Sequence, residues 1–492
     1  MLATRYSMLA TGCKLPSTVK FNLWLGLRRG MNSRPLRPAQ RCIVSMNTCL
    51  SVLSLVCAVV AVTPARAANW PQFRGSEAKG IDDSSPVPVK WDVETGENVR
   101  WRTPIPGLAH SAPIVWGGRV YVATAVLPGP SDLKVGLYGD IASVSETDSC
   151  QWRLLALDEA SGRVIWNVLG HESVPRVSRH TKGTHCNSTP ATDGRRIVAI
   201  FGSEGLFCFD LEGRLVWKKD LGPMDSGYFK VPTAQWGFAS SPVIFEDKVV
   251  VQCDVQKDSF LAVFALEDGR EIWRVPRSDV PTWSTPTVVR AAGRTQIAIN
   301  GWRHTGGYDF ATGRELWKLD GGGDIPVPTP IAGGDVIYFT SAHGRMRPMR
   351  AIRADATGDL TSDDGETLKP GMIWNHDRLG SYMQTPILVG DLLYGCTDNG
   401  LLTCFDAATG KVQFSHRLSD RGQGFTASPV SDARHIYYAS EIGNVFVVPA
   451  KSAFSVAAEN ALGETCLATP AISRGTLYVR GRHHLFAIGA AR

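Results

Sequence analysis

Arginine, histidine and tryptophan gather in a few loop segments of this chain. His180, Lys182 and His185 fall within one stretch, HESVPRVSRHTKGTHCN, at 171–187. Trp236 lies in QWGFASSP and Trp283 in TWSTP, and Trp302, Arg303 and His304 are consecutive. Arg345, Arg347, Tyr382, Arg421, Phe425, Arg480 and Arg482 complete the set. A guanidinium offers a planar fork of donors, and an aromatic ring offers a flat apolar face. Together they suit anionic, planar or peptide ligands. The expectation is a protein partner or a small anionic or planar ligand. The plainer reading of each residue is a solvated arginine or a tryptophan that fills space.

Metal and catalytic chemistry have less footing. His180, His185 and Cys186 are close in sequence, but their spacing matches no standard zinc pattern. His483-His484 begins a strand-like run, where neighbouring side chains point to opposite faces. The sequence has no G-x-S-x-G and no P-loop. Asp158, Asp210, Asp309 and Asp406 each end an apolar run just before a turn, where an aspartate caps the turning backbone. No catalytic residue, no metal and no resident cofactor are expected.

The elements that carry these loops repeat. A small or polar residue and a proline recur as SAP at 111–113, STP at 188–190, SSP at 240–242 and STP at 284–286. They return as PTP at 328–330, QTP at 384–386, ASP at 427–429 and ATP at 468–470. Successive prolines lie 77, 52, 44, 44, 56, 43 and 41 residues apart. The proline suits the start of a strand, where no ladder N–H is needed. The hydroxyl beside it can bond the turning backbone. After each copy come an apolar strand, a tight turn and a second strand such as KVVVQCD or VIYFTSA. A third strand ends in an acid, as in LLALD or LLTCFD, and a glycine turn leads to a fourth. The pairs Gly162/Trp166, Gly213/Trp217, Gly269/Trp273 and Gly313/Trp317 share one spacing, and Gly410/Phe414 keeps it with Phe. Trp374 marks another fourth strand, and a weak one is expected around Phe454.

Four strands per unit and a period in the forties describe a propeller blade. The expected fold is therefore an all-β, eight-bladed β-propeller of four-stranded antiparallel blades. The last unit stops after three strands. The orphan segment 97–102, with Trp101, supplies the fourth and closes the ring, leaving no open edge. Trp101, Trp166, Trp217, Trp273, Trp317 and Trp374 then serve as structural aromatics between blades. First-to-second and third-to-fourth connections are mostly minimal. Second-to-third and fourth-to-first connections are longer and share one face. The long-loop face is the expected binding surface.

Composition sets the remaining bounds. The chain has 492 residues, 43% of them hydrophobic, with 49 Gly and 29 Pro, a strand- and turn-rich globular make-up. The net charge of +6 comes from residues 1–67, which hold nine Lys or Arg and no acid. Beyond them stand 43 basic and 46 acidic residues, a balance that gives no footing to nucleic-acid binding. The basic block, the apolar run CLSVLSLVCAVVAV at 49–62 and the A-x-A site Ala65-Arg66-Ala67 read as an export signal cleaved near Ala67. The true start is Met1, Met31 or Met46. That run is short for a membrane span. The expected organisation is a leader over 1–67, a lead-in over 68–96 and the propeller over 97–492. The product is an exported monomer, periplasmic or outer-membrane-associated. Of seven cysteines beyond the leader, Cys208, Cys396 and Cys404 lie in strand-like runs. Cys150 and Cys186 are placed in loops, where an oxidising compartment permits pairing.

LLALDEASGRVIW, with the looser copies LFCFDLEGRLVW and YDFATGRELW, resembles the pyrroloquinoline-quinone (PQQ) propeller repeat. ANWPQFRG at 68–75 resembles the start of secreted bacterial PQQ-like propeller proteins. The resemblance covers about residues 69–490. It implies the propeller fold and two branches of function. Quinoprotein alcohol dehydrogenases carry an adjacent cysteine pair, calcium ligands and a catalytic Asp. This sequence has no Cys-Cys, no position that matches the ligands and no CxxCH haem motif. It is more similar to the outer-membrane-assembly lipoprotein propeller, which implies a non-enzymatic interaction scaffold in the periplasm. A PQQ-dependent dehydrogenase with calcium and an atypical site is the alternative, and a carbohydrate- or polymer-binding propeller is the third reading.

Overall fold

A computed structural model describes residues 69–129, 133–136, 142–364 and 367–490. The export signal, its cleavage near Ala67 and the starts at Met31 and Met46 lie outside the described residues. The chain folds as eight four-stranded antiparallel blades around one axis. Blade 1 runs Ile114–Trp116, Arg119–Val126, Cys150–Asp158 and Val164–Ser173. Blades 2 to 7 follow in chain order, each beginning just after its proline motif. Blade 8 takes Ala471–Ser473, Thr476–Arg480 and His484–Ile488 from the end of the chain and Val99–Pro104 from the beginning. The expected closure is therefore present, with Val99 opposite Ile488 and Pro104 opposite His484.

Burial grades outward along each blade. Second strands such as Arg119–Val126 are buried on both faces, because neighbouring blades cover both. Fourth strands such as Glu271–Pro276 are largely exposed, with Trp273 and Val275 turned inward. The core is a set of slabs between blades, such as Tyr121, Phe201, Phe207 and Phe209 between blades 1 and 2.

The repeated tryptophan is a peg for the next blade. The Trp101 Nε1–H donates to the Glu159 carbonyl of blade 1 at 3.0 Å. Trp166, Trp217, Trp273 and Trp374 reach the equivalent carbonyls of Leu211, Leu266, Phe310 and Ala407 at 2.9–3.1 Å. The repeat glycine lies flat on that ring. A Cβ on Gly269 would come within 2.7 Å of Trp217, at a φ of +69° that itself favours glycine. Trp317 departs from the pattern. Its blade 5 neighbour carries the 355–374 insert, and Trp317 bonds Gln296 Oε1 of its own blade at 2.9 Å. Gly358–Asp359 of the insert adds a parallel strand to the outer edge of blade 4 beside it. Blade 7 corrects the expectation at Phe454. Its fourth strand is Ala458–Ala461, while Phe454 sits in the turn, 5.6 Å from the Phe414 ring.

The proline motif does more than cap a turn. The Thr189 hydroxyl accepts the Ala112 N–H of the preceding blade at 3.0 Å. The same bond runs Thr189 to Ser241, Ser241 to Thr285, Thr329 to Thr385, Thr385 to Ser428 and Ser428 to Thr469, at 2.9–3.1 Å. The result is a hydroxyl belt around the axis, spanning six of the eight seams. It is interrupted where Ala112 has no hydroxyl and where the buried Thr329 Oγ1 has no partner.

Among the described residues all seven cysteines are free and buried, and Cys150 begins a strand of blade 1 rather than lying in a loop. Among the described residues no helix is long and apolar enough to cross a membrane.

Candidate functional site

The lead-in crosses the floor of the ring. Trp70 pairs with Val115 of blade 1, the Pro71 carbonyl accepts the Thr192 N–H of blade 2, and Gln72 Oε1 accepts the Ile244 N–H of blade 3. Beyond the axis, Arg74 donates to the carbonyls of Pro429 at 2.6 Å and Pro386 at 2.9 Å, in blades 7 and 6. Burial lowers its pKa to about 9, so it remains a cation satisfied by strand-start carbonyls. Phe73, between these anchors, points up the axis into a chamber of about 180 Å³.

The belt supplies the waist of that chamber through Ser241, Thr285, Thr329, Thr385, Ser428 and Thr469. Aromatic side chains from the long-loop face form its upper wall. The Trp236 and Trp283 rings lie 5.2 Å apart, and Tyr228 stacks on Trp236 at 5.5 Å. Trp283 Nε1–H is used by the Gly237 carbonyl at 2.9 Å, whereas Trp236 Nε1 is buried without a partner. Tyr382 lies 5.6 Å from His343, which meets Tyr228 edge-on at 5.8 Å. Asp324 ties this wall together. It accepts the Tyr228 hydroxyl at 3.0 Å and the His343 ring nitrogen at 2.5 Å, and pairs with Lys230. Burial pushes the Asp324 carboxyl up, but these three partners outweigh it and hold it well below the usual carboxylate range.

A strap from blade 1 reaches over the mouth. Lys182 donates to the Gly136 carbonyl and pairs with Glu441 of blade 7, both at 2.6 Å. Glu441 also accepts the Gly136 N–H at 3.0 Å. The His110 Nε2–H donates to the Lys182 carbonyl at 2.8 Å, and burial lowers its pKa to about 4. The chamber wall thus contributes His110, His180 and Lys182 but no Asp, Glu or Cys.

The sequence candidates divide on this geometry. Trp236, Trp283 and Tyr382 line the chamber. Trp302 stands apart, packed on Phe229 at 4.5 Å, and His304 is paired with Glu315 at 2.6 Å. Arg303, Arg345, Arg347 and Arg421 are exposed on the outer rim. Arg482 is half-buried and donates to the Gly107 carbonyl at 3.0 Å. Three further candidates are buried away from the chamber. His185 is paired with Glu146 at 2.7 Å, Phe425 packs against Phe446, and Arg480 is 1% exposed. Arg480 ends a strand, and His185 and Phe425 lie in connections that the neighbouring chain covers. Sequence reasoning missed Phe73 and the belt hydroxyls as lining groups, and Tyr228 as the ring stacked behind Trp236. The recurrence of Ser and Thr before proline was the available signal. Asp158 and Asp406 do cap their turns, through Ser161 and Thr409, whose hydroxyls lower both carboxyls.

A bound quinone with calcium needs carboxylate ligands and, in the dehydrogenase pattern, a cysteine pair. The chamber wall offers neither. Among the described residues, no group of three or more His, Cys, Asp or Glu side chains is placed to hold a metal ion. The residues present do not fit that group.

Comparison with known proteins agrees on the fold. The PQQ_2 family model, described as outer membrane protein assembly factor BamB, matches residues 83–228 and 151–416. A tetrathionate hydrolase of Acidithiobacillus ferrooxidans is 25% identical over 273 residues, covering 51% of this chain and 45% of that protein. The chain therefore spans less than half the length of this curated relative. Quinohemoprotein alcohol dehydrogenase ADHIIG from Pseudomonas putida HK5 matches with a TM-score of 0.56 at 11% identity, over 86% of this chain and 81% of that one. The quinohemoprotein alcohol dehydrogenase of Comamonas testosteroni gives 0.53 at 12% identity, over 89% and 82%. At these identities the likeness is one of fold.

Proposed function

Since the chain belongs to the PQQ_2 family, that of outer membrane protein assembly factor BamB, we propose that it is an exported, non-enzymatic binding scaffold. Its central chamber takes a small planar ligand rich in hydrogen-bond acceptors. One observation carries this reading. An aromatic and hydroxyl-lined chamber, floored by Phe73, leaves the buried Trp236 Nε1–H and Thr329 hydroxyl without partners. Flat apolar walls with a few convergent, unsatisfied polar atoms are the make-up of a small-molecule site. His110, His180 and Lys182 in the wall favour a neutral or anionic ligand over a cation.

The outer rim supports a second binding surface. Arg303, Arg345, Arg347 and Arg421 are exposed, and exposed guanidinium groups suit an acidic protein partner. The family description, an assembly factor of the outer membrane, favours such a partner and an exported location. A polymer-binding role has less support, because Trp283 is buried and Trp236 only half-exposed.

Titration of the chain with pyrroloquinoline quinone, with and without calcium, tests the chamber by tryptophan fluorescence and calorimetry. The expected result is no saturable binding of pyrroloquinoline quinone, with or without calcium, whereas a smaller planar anion such as benzoate should bind saturably, weakened at least tenfold by Trp236→Ala and unchanged by Arg421→Ala. Calcium-dependent binding with dye-linked alcohol oxidation would instead establish the dehydrogenase alternative. Tetrathionate is a further arm, chosen from the name of the curated relative, and its turnover would overturn the non-enzymatic reading. If no planar anion binds, the chamber is structural.

A further inference from the structure

Five arginines are buried among the described residues, and four of them are satisfied. Arg74 spends its guanidinium on backbone carbonyls, Arg179 on Glu146, Arg277 on Asp254 and Asp279, and Arg350 on Asn375. Arg480 is the exception. It ends the second strand of blade 8, is 1% exposed, and its Nε, Nη1 and Nη2 all lack a hydrogen-bond partner. Glu464 is near, but its oxygens accept the backbone N–H groups of His483 and His484 at 2.7 and 3.1 Å. It makes no ion pair with Arg480.

Burial lowers the Arg480 pKa to about 10, so the side chain is still a cation at neutral pH. A bare guanidinium in an apolar setting costs several kcal/mol. Beside it lies a cavity of about 10 Å³, bordered by Leu108, Ala109, His110, Leu467 and Arg482. That is room for one particle of roughly water size. Water would satisfy hydrogen bonds but add no charge, and Glu464, outside the cavity wall, favours the cation by less than burial opposes it. The wall brings no carboxylate, and Arg482 adds a second positive charge.

We propose that Arg480 and this cavity form a structural site for one monatomic anion of the halide class, buried between blades 8 and 1. The anion would accept from the free guanidinium nitrogens, which no side chain meets with a hydrogen bond. The site adjoins the chamber across His110 and Leu467, which line both, and does not depend on a ligand there.

The test is thermal unfolding of the chain in sodium gluconate against sodium chloride or bromide at constant ionic strength. Gluconate is too large for the cavity. The midpoint should rise saturably with halide, as linkage requires for a ligand of the folded state. Arg480→Met keeps the length and removes the charge, and should abolish that dependence. Arg482→Met, whose side chain already has a carbonyl partner, should retain it. Crystals grown in bromide should show one anomalous peak beside the Arg480 guanidinium, a readout that survives if Arg480→Met fails to fold. The proposal is overturned by a midpoint indifferent to halide, by equal dependence in Arg480→Met, or by the absence of that peak.

Discussion

Two isosteric substitutions in the hydroxyl belt should have opposite signs. The Thr385 hydroxyl accepts the Thr329 N–H at 3.0 Å, and both residues are 1% exposed. Thr385→Val keeps the shape but strands a buried amide, which costs about 1–3 kcal/mol. Thr329→Val removes a hydroxyl that has no partner, and relieving a buried unpaired polar group should be neutral or stabilise by up to about 1 kcal/mol. The variants therefore differ by about 1–4 kcal/mol. An unfolding entropy near 2.1 cal/mol/K per residue gives about 0.9 kcal/mol/K for a propeller of this size, so midpoints should differ by about 1–4 °C. Calorimetry and urea unfolding followed by both tryptophan fluorescence and circular dichroism provide the assay. Coincident curves are needed before a free energy is assigned. Equal losses in the two variants would refute the reasoning, since the hydroxyl itself, rather than the amide it serves, would then be what the fold requires.

Gly269→Ala forces a Cβ onto Trp217 at 2.7 Å in a left-handed conformation. It should cost about 2–5 kcal/mol, whereas Gly293→Ala, at φ +74° in open space, should lose only about 1–2 kcal/mol in the same urea titration. Lys182→Met breaks the pair with Glu441 and the bond to the Gly136 carbonyl, so amide hydrogen exchange at Gly136 should quicken at least tenfold with little change in the inner strands. Burial lowers the His110 pKa from 6.5 to about 4, and the unfolded chain binds the extra proton in that interval. Stability from this group is complete above pH 6.5, falls as pH drops towards 4 and levels off below it. His110→Gln should flatten that stretch of a midpoint-against-pH curve.

Periodic features were legible in the sequence because each copy does the same job. The Gly-x-x-x-Trp spacing announced fourth strands, and the structure adds that each glycine serves the tryptophan of the blade before it. The proline motif announced first strands, but its hydroxyl partners lie one blade away, at 41 to 77 residues, beyond any local turn argument. Non-periodic features were opaque. Nothing local in WPQFRG says that Arg74 crosses the axis to Pro386 and Pro429. Arg480 and His185 were placed on the surface because a loop-proximal position does not reveal how closely the next blade covers it. The chamber wall was half legible, since Trp236, Trp283 and Tyr382 stood out by type, while Phe73 comes from a segment with no repeat.

The pairing of Val99–Pro104 with His484–Ile488 makes one seam of the ring unlike the other seven. Arg100 and Ala490 bond across 390 residues of chain, about nine times the span of one repeat. Joining such distant ends costs about 2 kcal/mol more than joining one repeat, by the logarithmic growth of closure entropy. The first strand to leave the ribosome is thus the last to find its partners, and seven blades can stand as an open arc while it waits. That arc has a bare edge at each end, so the interval before closure is when a second chain can dock in place of the missing strand. Under tension the same seam should part first. A circular permutant that moves the chain ends to another blade boundary would make this seam internal to the chain and carry the weak point elsewhere.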